Sequence, residues 1–195
     1  MVPGDAAATT ARAILDNEWL WRLGLAVHLL YLVPGLTMKV IVSGLFRSVD
    51  PTLARLALMF GVSAVTVEAV ALVYLTVPLA VLENGGATLA ALPDTPALVY
   101  LATRLFANGF GFSLLLFAGL CILVGVLILR SRLLPRAIGA MMVVAGLCYV
   151  VNTLALILSP AFFERINHAI LLTILLAELS LALWLLLKGI VIPRS

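Results

Sequence analysis

Residues 97–129 read ALVYLATRLFANGFGFSLLLFAGLCILVGVLIL, with Arg104 as the one charged side chain. Wound as an α-helix, this stretch is about 50 Å long, well beyond the roughly 30 Å of a bilayer's hydrocarbon core. Working outward, four further apolar stretches lie at about 20–46, 53–82, 137–158 and 166–191. The pattern predicts an all-α polytopic transmembrane helix bundle of five spans, one integral-membrane domain over 1–195. The composition agrees, with 64% hydrophobic and 11% charged residues. A soluble domain of this size has no core able to hide that much apolar surface. Acyl chains take it instead, and helices satisfy their own peptide groups where water is absent.

Between the stretches the chemistry changes. Residues 1–18 read as an external N-terminal segment, weakly amphipathic through Ala11, Ile14 and Leu15, with Asp5 or Thr9/Thr10 as its cap. Trp19 and Trp21 follow, a pairing typical of the bilayer interface. Pro34-Gly35 predicts a kink in the first span. Asn84-Gly85-Gly86 and Pro93-Asp94 make 83–96 the one substantial loop. Pro135 suits the first turn of the fourth span. The opening Pro3-Gly4-Asp5 run and the long first stretch do not read as a cleavable leader.

Basic residues in the short loops give an orientation. Arg47 and Arg55 lie in one turn, Arg130, Arg132 and Arg136 in another, and Lys188 and Arg194 near the C-terminus. The 83–96 loop carries only Glu83 and Asp94. The expected place is the cell (inner or plasma) membrane, with the C-terminus cytoplasmic and the N-terminus outside. Arg12 and Arg22 run against this trend. Lys39 and Lys188 are expected to snorkel from cytoplasmic span ends. The formal net charge of +3 forms no basic patch interleaved with aromatics, which excludes nucleic acid as a partner. The lipid bilayer is the expected partner, with another membrane protein as a second candidate.

Three sets of residues carry a family resemblance. The first is Val2-Pro3-Gly4-Asp5-Ala6-Ala7-Ala8-Thr9, continuing through Ile14-Leu15 and Glu18 to Arg22-Leu23-Gly24. The second runs from Arg130-Ser131 through Leu134-Pro135-Arg136 and Gly139 to Ala145-Gly146-Leu147 and Tyr149. The third is Ala177-Glu178-Leu179-Ser180-Leu181, then Leu183-Trp184-Leu185-Leu186 and Lys188-Gly189. In order and spread these resemble a bacterial multi-span membrane family, number 4386 of the domains of unknown function. Members usually carry one more span before the first segment, so the resemblance implies a chain lacking that helix. They also tend to be more polar around 108–112 and to carry a His near Leu120. The resemblance brings no activity with it.

Ionisable groups inside a span cost roughly 2.5–3.5 kcal/mol each at the centre, so each calls for a reason. The candidates are His28, Glu68, Arg104, Asn108, Asn152 and Glu178. With the orientation above, all lie at or outside the midplane, and Arg104 and Asn108 share a helix face. One reading is an outward polar pocket lined by all six, in which Arg104 facing the two Glu binds a small anion or relays protons with His28. The other is structural, with Arg104 paired to one Glu and the Asn side chains bridging helices. His28 and His168 sit at unequal depths for haem, and no Glu-x-x-His supports a di-metal site. Cys121 and Cys148 lack metal spacing and read as buried thiols. No catalytic set, metal site or cofactor is expected. Ala107 and Gly111 allow close helix approach, within the chain rather than between copies. Three functions are compatible: a non-catalytic accessory or structural subunit, favoured by small size and short loops; a small transporter or sensor using the pocket; and, last, an intramembrane enzyme.

Overall fold

The computed structural model describes residues 3–83, 95–131 and 133–189. The Asn84-Gly85-Gly86 and Pro93-Asp94 elements, Arg132 and the chain end at 193–195 lie outside the described residues. The helices are α1 (Pro3–Asp16), α2 (Glu18–Phe46), α3 (Pro51–Leu72), a 3₁₀ turn (Val73–Thr76), α4 (Val77–Glu83), α5 (Thr95–Arg130), α6 (Arg136–Leu158) and α7 (Pro160–Leu187). Five segments are long and apolar enough to cross a membrane: Glu18–Phe46, Pro51–Val81, Thr95–Arg130, Arg136–Leu158 and Ala161–Leu187. The protein is an all-α polytopic membrane protein. Its outer faces carry large apolar side chains such as Leu30, Leu158 and Leu186, each more than 70% exposed. A water-soluble monomer does not tolerate such a belt.

The starts of α1 and α7 differ from the sequence reading for local reasons. α1 starts at Pro3, so Thr9 and Thr10 lie inside it rather than at its cap. α7 starts at Pro160, well before Ile166. Proline lacks the N–H that the first turn leaves unpaired, and the Phe162 and Phe163 N–H groups both donate to the Ser159 carbonyl at 3.0 Å.

The chain forms two compact units. The first comprises Met1–Gly35 and Thr66–Phe110. There the apolar face of α1, Ala11 and Ile14, packs with Val99 against Trp21 and Val81. Asn17 joins α1 to α2: its side-chain amide donates to the Ala13 carbonyl at 3.0 Å, and its carbonyl accepts from Trp21 N–H at 3.0 Å.

The second unit comprises Leu36–Val65 and Gly111–Ser195. Its core centres on Phe46, Cys121, Leu127, Ile128 and Ala145, all essentially inaccessible. Lipid tails are as apolar as leucine, so helices associate here through close fit. α5 and α6 meet along a seven-residue repeat of small side chains. A Cβ at Gly125 would lie 2.7 Å from the Gly139 carbonyl oxygen. A Cβ at Gly146 would lie 2.9 Å from the Ala118 carbonyl oxygen and 2.6 Å from Ile122 Cγ1. Thr153 Oγ1 donates to the Gly111 carbonyl at 3.1 Å. The pairs 125/139, 118/146 and 111/153 keep one antiparallel register, and heptad spacing is that of a left-handed pair. Gly111 thus serves a neighbour within the chain, with Leu156 as its contact.

The α2–α3 turn is fixed by Asp50. Its Oδ1 accepts from the Thr52 and Leu53 N–H groups at 3.0 Å each, capping α3 above Pro51. Its Oδ2 accepts from Arg130 Nη1 at 3.3 Å, which also places a cation at the C-terminus of α5.

The Gly146→Ala variant is expected to lose about 1–3 kcal/mol by overpacking. Gly24→Ala, where an added Cβ meets nothing within 4 Å, should be neutral or gain up to about 1 kcal/mol of helix propensity. Unfolding titrations in mixed detergent–lipid micelles compare the two; equal effects would contradict the α5–α6 register.

Candidate functional site

The first unit builds a site around a helix break. Pro78 has no N–H to give, so the carbonyls before it need other donors. Val77 N–H takes the Tyr74 carbonyl. Thr76 Oγ1 donates to the Val73 carbonyl at 2.7 Å. Trp21 Nε1 reaches across from α2 and donates to the Leu75 carbonyl at 3.1 Å. In hydrocarbon an unpaired carbonyl costs several kcal/mol, so this indole is held firmly.

Trp21, Gly24, Leu25 and His28 recur at helical spacing and share one face of α2. His28 Nε2 and Glu68 Oε1 of α3 share a hydrogen bond of 2.7 Å. Their side chains are 27% and 12% exposed. Phe106 and Phe110, one turn apart on α5, stack with centroids 5.9 Å apart and planes 22° off parallel. The His28 ring stands at 87° to both, at 6.1 and 6.4 Å. Tyr31 completes the surround at 6.0 Å. Trp21, Gly24, Leu25, His28, Phe106 and Phe110, with Leu20 and Leu75, line a cleft of about 370 Å³. That is within the range of small-molecule sites, roughly 300–1,000 Å³.

Of the six polar residues singled out from sequence, four fall in this unit. His28 and Glu68 meet. Arg104 and Asn108 are on the exposed side of α5. Among the described residues no ion pair joins Arg104 to Glu68, whose partner is His28. The reason is reach: Arg104 lies within the first three turns of α5, where a long side chain can extend to the interface.

Asn152 and Glu178 belong to the second unit. Glu178 Oε1 accepts from the Tyr149 hydroxyl at 2.8 Å, tying α7 to α6. Tyr149 packs edge-on against Phe117, centroids 5.5 Å apart. Asn152 is 5% exposed, and its Oδ1 is buried without a partner among the described residues. Lys39 does not extend to a span end. Its stem packs where a Cβ at Gly61 would meet Lys39 Cδ at 2.9 Å. Its Nζ lies 5.2 Å from the Phe117 ring centroid, a cation–π contact. Lys188 Nζ similarly caps the Trp184 ring at 5.3 Å. Cys121 is buried and Cys148 half-buried, both as free thiols. Among the described residues no group of three or more His, Cys, Asp or Glu side chains can hold a metal.

Sequence reasoning missed Tyr149, Lys39 and the aromatic wall. Phe106 and Phe110 had a legible signal, being four apart on the helix that carries Arg104. The Tyr149 and Lys39 roles had none, since each depends on which helix lies opposite.

The sequence model of a family described as "Domain of unknown function (DUF4386)" matches residues 1–189. No curated protein matches the chain, and no solved structure does.

A double-mutant cycle on His28→Ala and Glu68→Ala should show a coupling of about 0.5–1.5 kcal/mol, the size of a hydrogen bond between spans. Additive losses would mean that the two side chains do not interact. Tyr149→Phe, which deletes only the hydroxyl, should cost a similar amount, read by unfolding in bicelles.

Proposed function

We propose a function from the premise that the chain belongs to the DUF4386 family of domains of unknown function and is an integral membrane protein. The protein is a small-ligand binder of the cell membrane, a sensor or small transporter, that takes its ligand at the His28–Glu68 cleft. One observation carries this reading. A polar dyad inside a span is costly, yet this one opens on a cleft instead of being sealed by packing. The aromatic wall and the pinned Trp21 give the cleft fixed sides, as a pre-formed site requires.

The N-terminus is outside and the C-terminus cytoplasmic. Arg47, Arg55, Arg130 and Arg136 at span ends support this through the positive-inside tendency.

A second reading, an accessory membrane subunit, is favoured by α7. Leu172, Leu176, Leu179, Leu183 and Leu186 follow alternating four- and three-residue steps, and all are exposed. Such a stripe suits a partner helix as well as lipid.

Native mass spectrometry of the protein released from its own membrane should show a small-molecule adduct. Gly24→Leu, which fills the cleft where there is open space, should abolish it. An adduct of unchanged occupancy in the variant overturns the binding reading, and a fixed protein partner co-purifying with both forms supports the accessory one. For orientation, a C-terminal green fluorescent protein fusion should fluoresce and a C-terminal alkaline phosphatase fusion should be inactive. The reverse pair of results places the C-terminus outside.

A further inference from the structure

We infer that the cleft binds the flat, carbonyl-bearing ring of a membrane-soluble quinone-type compound. This rests on the cleft being a ligand site, as proposed above, and adds the chemical class.

Shape comes first. Gly24 has no side chain and open space above it, while Phe106 and Phe110 bring two near-parallel rings to the same cleft. The vacancy at Gly24 beside those rings fits a planar ring lying against aromatic faces, the geometry in which stacking is favourable. A branched or saturated ring has no π-face to stack and gains less from such rings.

The polar chemistry narrows the class. Among the described residues His28 is the one ionisable side chain lining the cleft, with Glu68 hydrogen-bonded to it. His28 spends Nε2 on Glu68, so Nδ1 is the nitrogen left for a ligand. A hydrocarbon interior disfavours net charge, and the two arrangements of the pair without it are imidazolium with carboxylate and imidazole with carboxylic acid. In both arrangements Nδ1 carries a hydrogen. The site therefore offers a donor, and the matching ligand offers an acceptor oxygen on its ring. A pure hydrocarbon leaves that N–H unmatched. A sugar or charged headgroup brings polar atoms that the remaining lining of Leu20, Leu25, Phe106 and Phe110 cannot satisfy. Glu68 acts on the ligand through His28, fixing its ring orientation.

The test uses the full chain in lipid nanodiscs, with empty nanodiscs subtracted. The probes are dimethylnaphthoquinone, whose reactive ring carbons are blocked by methyl groups, and dimethylnaphthalene, the same flat ring without oxygens. The naphthoquinone is expected to bind saturably and about tenfold more tightly than the hydrocarbon, the ratio that one net hydrogen bond gives. His28→Phe should erase that preference, bringing naphthoquinone affinity to that of the hydrocarbon in the same variant. Gly24→Leu should remove saturable binding of both, with its thermal unfolding unchanged as the check on folding. Equal binding of the two probes, both blocked by Gly24→Leu, overturns the carbonyl class and leaves the cleft as a site. No saturable binding of the naphthoquinone also overturns the class. Naphthoquinone binding that survives Gly24→Leu puts the ring elsewhere and overturns both the class and the cleft reading.

Discussion

A peptide carbonyl inside a bilayer has no water to turn to, and this protein is arranged around that fact. Five apolar helices answer it for most of the chain. The exception is instructive. Pro78 interrupts the second span, and three donors repair the gap: a backbone N–H from Val77, a hydroxyl from Thr76 and the indole of Trp21. The last repair comes from another helix. It fixes Trp21 at the mouth of the cleft, so a device that preserves the backbone's hydrogen bonding also shapes the site.

The second theme is the two uses of glycine. Along α5 and α6, Gly125, Gly139 and Gly146 remove side chains so that two backbones can touch. Without a hydrophobic force between helices, that contact is what dispersion and carbonyl interactions have to work with. Gly119 receives the Phe60 ring and Gly61 receives the stem of Lys39 in the same way. Gly24 is different. Nothing fills the space beside it, and an unfilled place on a membrane helix facing two stacked phenylalanines is room for something else.

The polar side chains inside the spans follow a local logic. Glu68 is held by His28, Glu178 by Tyr149 and the Thr153 hydroxyl by a backbone carbonyl. Each bond joins two helices. The difference between the two carboxyls is their surroundings. Tyr149, which binds Glu178, is itself part of the second unit's apolar core and packs on Phe117, whereas His28 looks onto a cleft.

The residues by themselves determined that the chain spans a membrane, how many times, and which side chains needed a reason to be there. Apolar length and the distribution of charge are local properties, and so are the three sets of motif residues that carried the family. His28 and Glu68 were both legible as costly groups within spans, but their pairing was not. Arg104 was the obvious partner for a carboxylate on charge alone; only the packing of α2 against α3 put an imidazole within 2.7 Å instead. Lys39 looked like a span-end lysine until Gly61 and Phe117 gave it a place inside. The cleft likewise exists only in three dimensions, because it is made by what Gly24 lacks, what Pro78 cannot donate, and which helix faces them.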